Sequence, residues 1–240
     1  MNKTRCLRAT LAGAIAVVLL APSAAAGEDV RSSNVTFSVL NAVPAGSDMG
    51  AFDVYVGRLA MADEVASGEL KTSKLKAGTY DIVVVPEGTS RFTQDPVLRE
   101  EDVSLRPGTD HTLAVHLSPT GRLTSSIFTN ETQTVGRDMG RLTFRHIAQA
   151  PKVDVRTRGS VLMPNVRNGT EDEVGLRSGN YKLRLVREGS RDKLLPASTH
   201  PIENAPGRQD MGDNRIIYLW GSDRDDSLQL SIQEIPLDLR

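Results

Sequence analysis

The sequence predicts an all-β fold with two tandem Greek-key β-sandwiches of the immunoglobulin or transthyretin type, preceded by an N-terminal signal peptide. Three observations predict it. Apolar residues recur with a period of two, turn-forming residues separate the short segments that carry this period, and the chain matches itself after a shift that places Val65 on Val166. A β-barrel built from the same strands is the alternative.

The N-terminus has the order of a secretory signal. Lys3, Arg5 and Arg8 precede an apolar run, and a series of small residues ends at Ala26. The run is shorter than the roughly 20 apolar residues that span a bilayer, so we expect residues 1–26 to be cleaved rather than kept as an anchor. The alanine-rich signal suggests a bacterial source, with the mature chain in the periplasm, at the cell surface or secreted.

Composition restricts the chemistry of the mature chain. The only cysteine, Cys6, lies in the signal, so cleavage leaves no disulfide, cysteine nucleophile or cysteine-bound zinc. The whole chain has 29 Lys and Arg against 30 Asp and Glu, and the signal removes three basic residues, which gives 26 against 30 and a net charge near −4. Nucleic acid is therefore not an expected partner, and no transmembrane span is expected in the mature chain.

An internal duplication sets the predicted domain boundaries. Residues 65–89 align with residues 166–190 without a gap, and Gly78 and Tyr80 fall on Gly179 and Tyr181. Two modules of about 100 residues follow from this match. We place them at residues 30–129 and 140–240, joined by a polar linker at 130–139.

Within each module the predicted strands have one apolar face. In the first module Val35, Phe37 and Val39 alternate with polar residues, and residues 181, 183 and 185 do the same in the second. Such strands bury one face against a partner sheet. With small gaps, residues 35–37 align with residues 142–144.

Several short motifs together resemble a family of exported bacterial modules. They are Asn41-Ala42, Phe52-Asp53-Val54-Tyr55-Val56, Lys76-Ala77-Gly78-Thr79-Tyr80 and Arg106-Pro107-Gly108-Thr109. The set resembles the DUF4397 family, whose members often occur as tandem copies. Asn41 stands where that family usually has a histidine, and the second copy has Arg156 where the first has Tyr55. The resemblance implies a β-sandwich fold and an exported location, without an established enzymatic role.

The candidate ligand-binding residues are Asp53, Asp154 and His146. Asp53 and Asp154 occupy matching positions between apolar neighbours in the two modules. We expect them to point to the outer face of a half-buried strand, or else to accept hydrogen bonds that hold a neighbouring loop. His146 is in phase with Leu142 and Phe144, which predicts an inward-facing histidine at a strand end. A role for His146 in a site is the alternative.

A carboxylate-rich hairpin is the candidate cation site. Asp223, Asp225 and Asp226 lie between two predicted strands and together carry the oxygen ligands that calcium prefers. The segment lacks the glycine and the distal glutamate of an EF-hand loop, so a solvated turn is the main expectation and calcium the alternative. No other cofactor is expected.

Three more side chains have predicted surroundings. Tyr218 and Trp220 share one face of a strand, where packing in a core is expected ahead of a carbohydrate-binding platform. His116 alternates with the apolar residues of its strand and is therefore expected on the surface.

The sequence contains none of the common catalytic signatures. It has no Gly-x-Ser-x-Gly, P-loop or His-Glu-x-x-His segment. We therefore expect an exported protein that is not an enzyme and serves as a binding or structural component of the cell envelope or extracellular space, with an envelope protein or glycan as partner. The alternative is a periplasmic accessory factor of exopolysaccharide acetylation that works through His146 or the carboxylate loops.

Overall fold

The computed structural model describes residues 33–47, 49–136, 138–202 and 212–237. The predicted signal at residues 1–26 lies outside these ranges. Every regular element in them is a strand, and they contain no helix that could cross a membrane. The strands are β1 Asn34–Ala42, β2 Phe52–Val56, β3 Leu59–Val65, β4 Leu70–Lys76, β5 Gly78–Pro86, β6 Leu98–Leu105, β7 Asp110–Leu117, β8 Leu123–Asn130, β9 Met139–His146, β10 Val153–Thr157, β11 Ser160–Val166, β12 Thr170–Arg177, β13 Gly179–Arg187, β14 Ser198–Ile202, β15 Asp213–Trp220 and β16 Gln229–Pro236.

These strands form four sheets of four strands, two sheets in each half of the chain. The first half has the orders β4-β1-β7-β8 and β3-β2-β5-β6, and the second half repeats them as β12-β9-β15-β16 and β11-β10-β13-β14. All neighbours are antiparallel except β1 with β7 and β9 with β15, which run parallel. The predicted tandem β-sandwich fold is confirmed.

Each sandwich has its own core, built by the alternating apolar faces. Val35, Phe37 and Val39 of β1 lie in the first core, and Leu183 and Leu185 of β13 lie in the second. Full burial of such a side chain stabilises the fold by about 1.5–3 kcal/mol. The period of two was therefore a sound indicator of which residues face inward.

The equivalence of β1 and β9 differs from the sequence alignment by two residues. Val35 pairs with Leu75, whereas Leu176, the counterpart of Leu75, pairs with Gly140. Val35 is therefore equivalent to Gly140, and the predicted match of residues 35–37 with 142–144 is wrong. A slip of two residues keeps the same side chains on the inward face of a strand, so the apolar pattern could not detect it.

The two sandwiches also share a third apolar cluster, formed by residues of β1, β7, β8, β15 and β16 and by Ile147, which follows β9. Its buried members are Leu40, Ala42, Ala114, Phe128, Ile147, Ile216, Tyr218, Trp220 and Ile235. The core packing predicted for Tyr218 and Trp220 is confirmed. The surface position predicted for His116 is wrong, because the second sandwich covers that face and leaves His116 only 1% exposed.

Candidate functional site

Asp53 and Asp154 hold loops in both halves. Asp53 accepts hydrogen bonds from the amides of Glu64, at 2.7 Å, and Gly88, at 3.2 Å. Asp154 accepts one from the amide of Asn165, the counterpart of Glu64, at 3.0 Å. Glu64 and Asn165 have left-handed backbones with φ of 51° and 57°, a conformation that needs outside support in residues with a Cβ. Both carboxylates therefore fasten an irregularity in the edge strand.

Asp154 has an additional cationic partner. Arg156 Nη2 donates to Asp154 Oδ2 at 3.0 Å. Burial pushes the pKa of Asp154 upward, but the hydrogen bonds from Asn165 and Arg156 outweigh it and hold the pKa below its ordinary value. Asp154 therefore stays ionised and fixes the Arg156 guanidinium on the outer sheet.

His146 lies at the end of β9 and does there what Asn41 does at the end of β1. Gly68 donates its amide to the Asn41 carbonyl, and Gly169 donates to the His146 carbonyl, so the two positions are equivalent. Asn41 Oδ1 accepts from the amide two residues on, at 3.1 Å, and His146 Nδ1 does the same at 3.3 Å. His146 Nε2 then donates to the Pro151 carbonyl at 2.9 Å. The imidazole is thus a neutral, fully used link between β9 and the loop that leads to β10.

The carboxylates of the candidate calcium site have separate partners. Asp223 binds the Arg187 guanidinium through both oxygens, at 3.0 and 2.8 Å. Asp225 accepts from the hydroxyl of Ser227 at 2.6 Å, which lowers the pKa of Asp225. Asp226 is exposed, with a φ of 57°. Within the described ranges no group of three or more His, Cys, Asp and Glu residues is placed to hold a metal, so calcium binding stays a prediction.

The structure does not bring the three candidate ligand-binding residues together. Asp53 is in β2 of the first sandwich and Asp154 in β10 of the second. His146 ends β9, in the sheet that faces the first sandwich, and shares no hydrogen-bond partner with Asp154. Each residue makes its hydrogen bonds within its own half of the chain.

A buried cation that sequence reasoning missed lies between the sandwiches. Arg145 is 1% exposed. Its Nε donates to Glu171 at 2.7 Å, and its Nη1 donates to Asn130 at 2.8 Å and to the Tyr218 hydroxyl at 2.7 Å. The guanidinium also lies 4.4 Å from the centre of the Phe128 ring. Asn130 and Phe128 belong to the first half and Tyr218 to the second, so one charge ties both halves together.

Large side chains of the second half fill space that small residues of the first half leave open. Trp220 packs on Gly68, where an added Cβ would lie 2.9 Å from the indole ring. Ser231 receives the indole N–H at 2.9 Å and itself donates to the Gly68 carbonyl at 3.3 Å. His116, the counterpart of Trp220, occupies the matching place in the first half. The surfaces of the two halves are therefore complementary in shape where Trp220 meets Gly68.

A basic pocket of about 330 Å³ opens on the outer sheet of the second sandwich. Its lining residues are Arg156, Gly159, Arg184, Val186, Arg191 and Lys193. The sequence did contain a signal for it, because Arg156 replaces Tyr55 of the first copy. No comparable signal indicates the burial of Arg145, because an arginine on the polar side of a strand usually faces solvent.

Comparison with known proteins gives one family match. The family described as "Domain of unknown function (DUF4397)" matches residues 35–156, which is 122 of the 240 residues. No curated protein matches. A solved structure described as "Alpha-glucan binding by a streptococcal virulence factor" is 10% identical over 82% of this chain and 96% of that chain, with a TM-score of 0.25. That likeness is too weak to transfer a property. The family match covers more than half of the sequence, and the chain therefore belongs to the DUF4397 family, as its motifs predicted.

Proposed function

We propose that the protein is an exported, non-catalytic binding or structural component of the bacterial cell envelope or extracellular space, in which the two sandwiches act as one body. One observation carries the proposal. Asp154 and His146 make hydrogen bonds to the backbone of the second half. Their counterparts in the first half, Asp53 and Asn41, make the equivalent hydrogen bonds there. A group kept in both copies for the same hydrogen bonds has a structural explanation that needs no substrate.

Access to solvent supports the proposal. A general base must come within hydrogen-bond reach of the proton that it removes. His146 is fully buried with both ring nitrogens engaged, and Asp154 is 5% exposed with its oxygens occupied by Asn165 and Arg156. Burial also lowers the pKa of His146, which keeps the ring neutral.

The interface supports a single rigid body. The shared apolar cluster excludes water, and Arg145, Thr112 and Gln233 make polar contacts across it. A hydrogen-bonded charge in such a place disfavours separation, because parting the sandwiches would leave the hydrogen-bond partners of Arg145 without it. Two surfaces held at a fixed spacing suit a protein that presents binding sites or spans other components.

Binding to envelope material tests the main proposal. The purified mature protein would be mixed with wall, membrane and polysaccharide fractions of the producing bacterium, and the bound share measured by sedimentation. We expect saturable retention by at least one fraction. Failure to bind any of them, together with free diffusion of the protein in the exported compartment, would contradict a role as an envelope component.

The substitution His146→Asn distinguishes this proposal from the acetylation alternative. Asn41 already fills the equivalent place, so the variant should fold and bind envelope fractions like the wild type. If His146 instead served acetyl transfer, the variant would lose release or transfer of acetyl groups on exopolysaccharide while keeping its melting temperature. That result would establish the alternative.

A further inference from the structure

We propose that the basic pocket on the outer sheet of the second sandwich binds the carboxylate or sulfate groups of an acidic polysaccharide. This inference rests on the proposed function, since it names the ligand class that an envelope-binding protein would take. The pocket lies on the sheet face that points away from the second core and from the first sandwich, and among the described residues it is open to a ligand.

The charges in the pocket are costly for the fold. Arg156 of β10 and Arg184 of β13 are direct cross-strand partners. Like charges placed opposite each other destabilise a sheet. In the first sandwich the same two positions hold Tyr55 and Val83, which are also direct partners. The fold therefore accepts an uncharged pair here, and the second copy carries two arginines at the same positions.

The pocket has few counter-charges. Asp154 pairs with Arg156. Arg184, Arg191 and Lys193 have no ion pair within the part of the chain that the structure describes. Asp192, in the loop between Arg191 and Lys193, is exposed to solvent. The cluster thus keeps a positive potential, in a mature chain with more acidic than basic residues.

One donor in the pocket is buried and unused. The Nε atom of Arg156 has no hydrogen-bond partner, although the side chain is held in place through Nη2 by Asp154. An unsatisfied buried N–H is unfavourable, so the Arg156 guanidinium keeps donor capacity that Asp154 does not use. Guanidinium groups bind carboxylates and sulfates through paired hydrogen bonds, which Arg156 and Arg184 could offer from neighbouring strands.

The shape favours an acidic glycan over a flat anionic surface. About 330 Å³ lies within the range of small-molecule sites, and Val186, which is 4% exposed, forms an apolar floor between the cations. A recessed pocket admits one acidic sugar unit, whereas a membrane would need its cations spread over a convex face.

Calorimetric titration of the mature protein with tetragalacturonate tests the assignment, with neutral maltotetraose as the uncharged control. We expect tetragalacturonate to bind with an affinity that falls as salt rises, and maltotetraose not to bind. Equal affinity for both sugars would overturn the proposal. Inorganic sulfate and phosphate are titrated alongside. If phosphate binds and tetragalacturonate does not, the pocket is an oxyanion site but the assignment to an acidic polysaccharide is wrong.

Two substitutions introduce the residues that the first sandwich has at the equivalent positions. Arg184→Val and Arg156→Tyr should each weaken tetragalacturonate binding about tenfold or more, because each removes a charged donor. Arg184→Val should also raise the melting temperature, since it removes the like-charge pair. The control Lys182→Ser takes one cation from the same face of β13 outside the pocket lining and should change affinity less than about twofold at moderate salt. Unchanged binding in both arginine variants would place the site elsewhere.

The outcomes separate this inference from the proposed function. If Arg184→Val binds envelope fractions as well as the wild type does, the envelope role stands and the pocket is not its site. If tetragalacturonate binds the pocket but no envelope fraction retains the protein, the pocket stands and the envelope role fails.

Discussion

As the pH falls below neutrality, the free energy of unfolding should decrease less in His116→Gln than in the wild-type protein. His116 lies between the sandwiches, 1% exposed. Its Nδ1 donates to the Leu117 carbonyl at 3.1 Å and its Nε2 faces the Ser126 hydroxyl at 2.9 Å. A carbonyl only accepts, so Nδ1 carries the proton and Nε2 accepts from Ser126. The neutral ring is satisfied, and an added charge would be buried.

Burial lowers the pKa of His116 from 6.5 to about 4, with a smaller contribution from nearby His146. The unfolded chain binds this proton more readily than the folded chain does. The stabilising effect of the depressed pKa is therefore complete above pH 6.5 and is lost as the pH falls toward 4. At about 1.4 kcal/mol per pKa unit, the loss amounts to roughly 3 kcal/mol.

Urea denaturation at several pH values measures the effect, and Trp220, the single tryptophan, is 2% exposed at the same interface and reports unfolding by its fluorescence. Near pH 5 the free energy of unfolding of the wild type should change with pH more steeply than that of His116→Gln, by about 1.2 kcal/mol per pH unit. The control Ser126→Ala removes a hydrogen bond but leaves the ring buried, so it should lower stability and keep the wild-type slope. Equal slopes for wild type and His116→Gln would refute the reasoning.

Three further predictions concern the interface, a turn and export. Arg145→Met should lower the free energy of unfolding, measured in urea, by about 3 kcal/mol, because it leaves buried partners without their cation. The control Lys152→Met, at a half-exposed ion pair, should lower it by less than about 1 kcal/mol. Similar losses in the two variants would contradict the assigned role of the buried charge. Gly221→Ala should lower the melting temperature much more than Gly46→Ala does. The two glycines have similar φ angles of 89° and 90°, but an added Cβ would lie 2.3 Å from a backbone oxygen at Gly221 and touch nothing at Gly46. Mass spectrometry of the exported protein should show a chain that starts after Ala26 and has no thiol, and an intact N-terminus would disprove cleavage.

The sequence predicts inward-facing residues better than outward-facing ones. Alternation along a strand separates the two faces, and β1 and β13 follow it, because water cannot reach the inner face. The outer face has no such constraint: the same polar pattern fits a side chain in water and a side chain under a second sandwich. The burial of His116 and Arg145 could not be predicted from the pattern, since it depends on contacts between the two sandwiches, such as that of Arg145 with Asn130.

Asp53 and Asp154 show how far a repeated residue can be interpreted. Their recurrence indicated a structural role, and the hydrogen bonds to Glu64 and Asn165 fit the loop-holding alternative. Their strand neighbours, such as Val54 and Val155, lie in the cores, so both aspartates are on the outer face of their strands, although each is only 5% exposed. A sequence pattern gives the side of the strand, and the bulge that turns a neighbouring amide toward the carboxylate comes from the left-handed residue in the next strand.

Differences between the two halves are more informative about function than their similarities. Residues that match, such as Asp53 with Asp154, or that substitute for each other, such as Asn41 and His146, make the same hydrogen bonds and so maintain the fold. Divergence at the interface also has a structural cause, because the side chains there pack against the other half of the chain. The change from Val83 to Arg184 has neither explanation, since it brings like charges together on an open sheet. The side chain of Arg184 makes no hydrogen bond or ion pair within the ranges that the structure describes, so its presence requires another cause, and the proposed anionic ligand supplies one.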